Sequence, residues 1–163
     1  DHFLQLNSYR MGRGRSADVH ARYEFDFVDY APLVFRALRD TWHIDAADYL
    51  LSLTGEYVLS ELLTPGKSNS FFYFSSDMRF LFKTVEPGEF KTLTRMLPHY
   101  WNHTQQHPHT LLVKLLGLHC VRRRGTTFRF VVMKNAFSAE RKMHEKYDLK
   151  GSTVGRPAGG GAP

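Results

Sequence analysis

The sequence predicts an α+β fold in which helices flank an antiparallel sheet. Of the 163 residues, 42% are hydrophobic and 13 are phenylalanine, which is enough apolar surface for a packed core. Runs with strand character follow one another across short polar turns, and helical segments stand before and between them. This order favours hairpins over strand-helix-strand winding, so the fold is mixed but not doubly wound.

Two amphipathic helices are predicted in the first third of the chain. Apolar residues recur at helical spacing over residues 30–42, and Pro32 falls in the first turn, where proline is tolerated. A second, short helix follows. Asp45 has the side chain of an N-cap, and Gly55 suits the position after the last helical residue.

A third helix is predicted between two pairs of strands. It begins at Glu89, and its apolar stripe reaches Tyr100. Pro98 lies inside this stretch and cannot donate the helical hydrogen bond. We therefore expect Pro98 to kink or restart the helix.

Five runs are predicted to be strands because aromatic or apolar residues dominate them and turn residues bound them. They cover residues 4–10, 71–74, 78–84, 112–121 and 126–133. The last two should pair as a hairpin across the basic turn at 122–125. The sheet is thus expected to contain a hairpin, then a helix, then a second hairpin.

The charge of the chain restricts its partners to anions. A net charge of +6 and a pI near 9.5 suit nucleic acid, an anionic membrane surface or a phosphorylated ligand. The single cysteine, Cys120, excludes an intrachain disulfide and a cysteine-based zinc finger, and we expect it to be buried. No apolar run approaches the ~20 residues that span a bilayer.

No metal site is predicted within the chain. His99, His103 and His107 are spaced four apart, and imidazoles at that spacing on a helix can share a metal. No carboxylate or cysteine in the segment completes a tetrahedral set. A solvated helix face is the simpler interpretation.

A polar loop precedes the first predicted hairpin. Its Gly66-Lys67-Ser68 sequence ends like a phosphate-binding loop, but Glu61 stands where that motif needs glycine, and a strand follows instead of a helix. A loop that covers nucleotide phosphates, as in kinases, remains open because Gly66, Ser68, Asn69 and Ser70 are small. An ordinary polar connection explains the same residues.

Lys83 lies within a hydrophobic strand, where an ammonium group needs an anionic partner. Glu89 begins the next helix. Kinases use a strand lysine that contacts nucleotide phosphates and pairs with a helix glutamate. Alternatively, Lys83 extends to solvent and Glu89 is an acid favoured by the helix dipole. The order of loop, lysine and glutamate favours the kinase interpretation.

Several longer motifs resemble the N-terminal part of the phosphatidylinositol phosphate kinase catalytic domain. They lie at residues 29–39, 44–49, 65–70, 79–84, 135–137 and 147–156. The most specific is Asp148-Leu149-Lys150-Gly151-Ser152-Thr153. The resemblance implies an incomplete domain, the N-lobe of a protein-kinase-like lipid kinase, over residues 1–156, with a flexible Gly/Pro/Ala tail at 157–163.

The resemblance also implies roles for individual residues in transferring phosphate from ATP to a phosphorylated inositol lipid. Lys83 would be the nucleotide-phosphate lysine, Glu89 its helix partner and Lys150 a group on the phosphate or substrate side. The remaining nucleotide-binding positions would be the loop over the phosphates and the adenine-side hinge, namely Gly66, Lys67, Ser68, Asn69, Ser70, Val132, Met133, Asn135 and Phe137. Asn69 departs from the family pattern, in which many members have glycine.

The acidic residues that position the attacking hydroxyl and hold Mg²⁺ are expected outside this chain, so these 163 residues alone should be inactive. Residues 65–68 and 130–133 resemble 4-phosphate 5-kinases more than 5-phosphate 4-kinases. The expected partners are a phosphoinositide lipid, an anionic membrane surface and a second copy of the chain. The expected location is the cytoplasm, peripheral on the plasma membrane.

The alternative function is a non-catalytic basic module that binds nucleic acid or other anions. The pI, the run Arg122 to Arg124 and the 14% aromatic content motivate it. However, the phenylalanines lie in strands that are predicted to form the core, so no basic stripe with exposed aromatic residues is apparent. No nucleic acid partner is therefore expected.

Overall fold

The computed structural model describes residues 2–11, 24–54, 60–62, 70–137 and 143–145. Within these ranges the chain forms seven strands and three helices. In chain order they are β1 (Leu6–Met11), β2 (Phe25–Tyr30), α1 (Pro32–Thr41), α2 (Ala46–Thr54), β3 (Ser60–Leu62), β4 (Phe72–Phe74), β5 (Phe80–Thr84), α3 (Pro87–Gln106), β6 (Leu115–Arg123) and β7 (Thr126–Lys134).

The strands form one sheet in the order β1-β2-β6-β7-β5-β4-β3, and every neighbouring pair is antiparallel. The predicted fold class, an antiparallel sheet with flanking helices, is confirmed. The two predicted hairpins, β4 with β5 and β6 with β7, are present on either side of α3 in the chain. Strand β2, which joins β1 to the rest of the sheet, was not predicted.

Apolar side chains from the helices pack against the central strands to form the core. The largest side chains that are almost fully buried include Leu38 of α1, Phe80 of β5, Leu116 and Leu118 of β6, and Val132 of β7. Full burial of such a side chain contributes roughly 1.5–3 kcal/mol to folding. Cys120 is also fully buried, as predicted.

The first two helices form where the sequence predicts them. Pro32 occupies the first turn of α1, which follows Ala31 in a left-handed conformation (φ 46°). Asp45 caps α2, because its Oδ1 accepts hydrogen bonds from the backbone N–H groups of Ala47 and Asp48, both at 2.9 Å. Gly55 lies outside the described residues.

Helix α3 continues through Pro98, which neither ends nor restarts it. Pro98 is exposed on the helix surface, and it removes one intrahelical hydrogen bond there without ending the helix. Of the two expected effects of Pro98, a kink or a restart, the restart is therefore wrong. No helix in the part of the chain that the structure describes is long and apolar enough to cross a membrane.

The second hairpin starts later than predicted. Strand β6 begins at Leu115 and not near Leu112. The hydroxyl of Tyr100 donates to the carbonyl of Val113 at 2.7 Å and accepts from the N–H of Leu115 at 3.0 Å. The Tyr100 side chain of α3 thus supplies hydrogen bonds to the backbone where β6 begins.

Candidate functional site

Lys83 lies on β5, a strand with neighbours on both sides. It is directly opposite Phe72 of β4 and Val131 of β7. Opposite residues in antiparallel strands share a face of the sheet, and so do residues two apart in one strand. Lys83 therefore shares a face with Leu81, Val131 and Met133.

Glu89 meets Lys83 on this face. The Nζ of Lys83 donates a hydrogen bond to Oε1 of Glu89 at 2.6 Å. The exposed fraction of the Lys83 side chain is 23%, against 44% for Glu89, so the ammonium group is the more enclosed of the two. The contact that the sequence predicts between strand lysine and helix glutamate is present.

The start of α3 orients Glu89. Glu86 is the N-cap residue, and its side chain accepts a hydrogen bond from the backbone N–H of Glu89. In return, Oε2 of Glu89 accepts from the backbone N–H of Glu86 at 3.2 Å. This reciprocal capping box aims the remaining carboxylate oxygen at the strand lysine.

The pKa of Glu89 is lowered below its ordinary value of 4.5, mainly because its carboxylate accepts a hydrogen bond from Lys83. Partial burial raises this pKa, and the hydrogen bond from the Glu86 N–H lowers it. The carboxylate is therefore ionised near neutral pH. A pair this exposed stabilises a fold by only ~0–1 kcal/mol. Its main effect is to hold the ammonium group in one place.

The structure divides the predicted hinge residues between the two faces. Met133 lies opposite Leu81, on the face of Lys83, whereas Val132 lies opposite Phe82 and is completely buried on the other face. Val132 thus has only backbone groups to offer to a ligand near Lys83. Val131, which pairs with Lys83 directly, was missed in the sequence because only the sheet register reveals it.

Asn135 joins the end of β7 to the β4–β5 turn. Its backbone N–H donates to the carbonyl of Arg79 at 2.9 Å, and its side-chain Nδ2 donates to the carbonyl of Met78 at 2.8 Å. Its Oδ1 accepts from the N–H of Phe137 at 3.1 Å. Asn135 therefore fixes the path of the chain after β7. The ring of Phe137, two residues further on, is exposed.

Among the loop residues, only Ser70 lies within the described ranges, and it is half-buried. The next residue, Phe71, donates its N–H to Oγ1 of Thr84 at 2.8 Å, and its carbonyl accepts from the Thr84 N–H at 3.0 Å. The end of the loop is thus attached beside Lys83. Gly66, Lys67, Ser68, Asn69 and Lys150 lie outside the described residues.

His103 of α3 and His107, which follows its last residue, contact each other. The ring centroids of His103 and His107 are 4.8 Å apart, and Nε2 of His103 lies 3.0 Å from Oγ1 of Thr110. Within the described ranges, no group of three or more histidine, cysteine, aspartate or glutamate side chains is arranged to hold a metal ion.

Comparison with known proteins establishes the family. The family model described as phosphatidylinositol-4-phosphate 5-kinase matches residues 53–161, which is more than half of the chain. The chain belongs to the phosphatidylinositol-4-phosphate 5-kinase family. The match includes β5 and α3, which carry Lys83 and Glu89.

Curated relatives of this family match most of the chain. It is 51% identical over 144 residues to phosphatidylinositol 4-phosphate 5-kinase its3 of Schizosaccharomyces pombe, covering 88% of the chain and 19% of that protein. It is 49% identical over 138 residues to phosphatidylinositol 4-phosphate 5-kinase 8 of Arabidopsis thaliana, covering 84% and 18%. The chain therefore spans about a fifth of the length of these relatives.

Proposed function

We propose that this chain supplies the nucleotide-binding lobe of a lipid kinase. The enzyme would transfer the γ-phosphate of ATP to phosphatidylinositol 4-phosphate and so form phosphatidylinositol 4,5-bisphosphate. The observation that carries the proposal is the 2.6 Å contact between Lys83 of a central strand and Glu89 of the adjoining helix. The names of the curated relatives support the choice of lipid.

In this proposal Lys83 binds the α- and β-phosphates of the nucleotide. Glu89 holds the ammonium group of Lys83 in position for this contact. The loop from Gly66 to Ser70 covers the phosphates with its backbone. Met133 offers a side chain, and Val132 backbone groups, to the adenine. Asn135 positions the hinge, Phe137 follows it, and Lys150 acts on the phosphate or substrate side.

Mg²⁺ would neutralise charge on the phosphate oxygens during transfer. Metal ligands for Mg²⁺ are usually carboxylate oxygens. At the candidate site both oxygens of Glu89 are already engaged, one with Lys83 and one with the N–H of Glu86. Glu89 is thus not available as a metal ligand in this arrangement. We propose that the metal ligands and the catalytic acid lie outside this chain, and that residues 1–156, with the tail at 157–163, are inactive as an isolated lobe.

The proposed partners follow from charge and exposure. A net charge of +6 suits an anionic membrane surface, where the enzyme would act peripherally from the cytoplasm at the plasma membrane. Helix α1 directs Val34, Phe35 and Leu38 into the core and leaves Leu33 half exposed. The exposed side of α1 is where a second copy would bind in a homodimer.

The test is Lys83→Ala in the full-length enzyme, with Lys91→Ala as control because Lys91 is an exposed lysine of α3. We expect phosphate transfer from labelled ATP to phosphatidylinositol 4-phosphate vesicles to fall at least about a hundredfold in the first variant, because a charge that stabilises the transferring phosphates is lost. The control should retain activity. Normal turnover by a folded Lys83→Ala enzyme would refute the role assigned to Lys83. A product phosphorylated at another position of the inositol ring would refute the proposed formation of phosphatidylinositol 4,5-bisphosphate.

A further inference from the structure

A second group of basic side chains lies in a pocket where β6 begins and β7 ends. The pocket has a volume of about 480 Å³ and is lined by residues 108–114 and 134–136. Lys114 and Lys134 belong to this lining. Lys134 is three positions beyond Val131, the partner of Lys83, so side-chain alternation places it on the opposite face of the sheet from Lys83.

The backbone holds the two lysines next to each other. The N–H of Lys134 donates to the carbonyl of Lys114 at 2.9 Å, across the ends of the hairpin. The backbones of the two residues are therefore held side by side at the ends of β6 and β7. The Nζ of Lys114 also lies 5.4 Å from the ring centroid of Trp42, a buried residue just after α1.

No carboxylate side chain is present among the residues that line this pocket, whereas His109 adds a third basic group. Burial lowers the pKa of Lys114, and the positive charge of Lys134 lowers it further. Two like charges held together in a concave site destabilise each other unless an anion lies between them. The wall formed by Leu111, Leu112 and Val113 is apolar and exposed.

We propose that the pocket between Lys114 and Lys134 binds a phosphate monoester group. Such a group carries close to two negative charges at neutral pH and has three oxygens that accept hydrogen bonds from ammonium groups. The exposed apolar wall would contact the molecule that carries the phosphate. The lysines of this pocket are distinct from the proposed nucleotide lysine, because Lys83 and Lys134 lie on opposite faces of the sheet. The pocket borders the proposed hinge, since Asn135 is part of its lining.

The phosphate could belong to a lipid headgroup at a membrane or to a soluble molecule. Binding is measured on the full-length protein at physiological salt with three probes: inorganic phosphate, soluble inositol trisphosphate, and vesicles that contain phosphatidylinositol 4-phosphate. The variants are Lys114→Gln with Lys134→Gln, and separately Lys134→Glu. The matched control is Lys91→Gln, which removes an exposed lysine of α3.

We expect the double variant to bind the preferred probe about tenfold more weakly than the wild type, with the Lys91→Gln control unchanged. Lys134→Glu should weaken binding at least as much, because the new carboxylate pairs with Lys114 and repels phosphate. A loss confined to vesicles identifies a lipid headgroup, and a loss with all three probes identifies phosphate itself as the ligand. Equal binding by the wild type and both pocket variants, or an equal loss in the control, overturns the proposal.

Discussion

Glu89 binds Lys83 with one carboxylate oxygen and the start of its own helix with the other. The first contact measures 2.6 Å to Nζ, and the second measures 3.2 Å to the backbone N–H of Glu86. The same residue therefore caps α3 and holds the strand lysine. Because the cap fixes the direction of the carboxylate, the position of Lys83 depends on how α3 begins.

The two functions of Glu89 are separable by substitution. Glu89→Gln keeps an oxygen for the Glu86 N–H but removes the charge that faces Lys83. We expect the free energy of unfolding to change by no more than ~1 kcal/mol, since the pair is exposed. Phosphate transfer by the full-length enzyme should fall at least about tenfold, because Lys83 loses its counter-charge.

Glu89→Ala should show the same loss of transfer and a further loss of ~0.5–2 kcal/mol in urea unfolding, because the cap is also broken. Asp40→Asn is the control, since Asp40 is an exposed acid of α1. The account of Glu89 is contradicted if the glutamine variant is folded and fully active.

The carboxylate of Asp77 should make the stability of the fold depend on acid. Its Oδ1 accepts hydrogen bonds from Oγ of Ser75 at 2.6 Å and from the N–H of Arg79 at 3.1 Å, and its Oδ2 accepts one from Oγ of Ser52 in α2. Burial alone would raise the pKa of Asp77, but these hydrogen bonds lower it below its ordinary value of 3.8.

The ionised form of Asp77 is thus favoured by folding. Its contribution is complete above the unfolded-state pKa near 3.8 and is lost as the pH falls through the lower folded-state pKa. Asp77→Asn should cost ~1 kcal/mol of unfolding free energy at pH 7. The difference between wild type and variant should shrink as unfolding is measured at progressively lower pH. A difference that is constant with pH would show that ionisation of Asp77 does not stabilise the fold.

Gly117 should not tolerate a side chain. It lies at an irregularity in the β6–β7 register, and a Cβ there would be 2.3 Å from Nε2 of His119 and 3.0 Å from the hydroxyl of Tyr49. Gly117→Ala should reduce the free energy of unfolding by about 1–3 kcal/mol, because a buried ring must move.

Removing the imidazole should relieve the clash at Gly117. Combined with His119→Ala, the glycine substitution should cost less than it does alone, and a double-mutant cycle in urea measures this coupling. Strictly additive changes in the free energy of unfolding would mean that the His119 ring is not what opposes a side chain at position 117.

The hydroxyl of Tyr100 should stabilise the start of β6. Burial raises the pKa of Tyr100, so the hydroxyl stays protonated and can donate to Val113 while it accepts from Leu115. Tyr100→Phe leaves that carbonyl and that N–H without this partner. We expect a loss of ~1–3 kcal/mol in thermal or urea unfolding. A variant as stable as the wild type would show that water replaces the hydroxyl without cost.

The same substitution also tests the phosphate pocket. Because Lys114 lies between the two backbone groups that Tyr100 binds, Tyr100→Phe should weaken phosphate binding in the pocket of Lys114 and Lys134. The readout is the inositol trisphosphate titration described above. Unchanged affinity for inositol trisphosphate in a destabilised Tyr100→Phe variant would show that phosphate binding does not depend on the Tyr100 hydroxyl.

Local patterns in the sequence predicted the parts of the structure that depend on neighbouring residues. The Asp45 cap, the hairpins on either side of α3 and the meeting of Lys83 with Glu89 all depend on short stretches of chain. Each follows from helical spacing, strand alternation or turn chemistry, which are visible in a window of about ten residues.

Contacts between distant segments could not be predicted in this way. Strand β2 carries Asp26 and Asp29, and aspartate lowers the intrinsic strand preference of a segment. The register of β2 against β6 brings Oδ1 of Asp29 to 3.2 Å from Nδ1 of His119. The pocket of Lys114 and Lys134 likewise exists only because the hairpin ends meet. The restart expected at Pro98 did not occur, because the surroundings of a proline, and not its type alone, decide whether a helix continues.

The position of β2 in the sheet also affects how the chain folds during synthesis. Tyr30 of β2 pairs with Leu118 of β6, so β2 cannot complete its hydrogen bonding until β6 has left the ribosome. Pairing between distant strands is slow, because the intervening loop must close before any contact compensates for the lost entropy. Until then the apolar side of α1 lacks the strand that it packs against, so it is exposed to contacts with other chains.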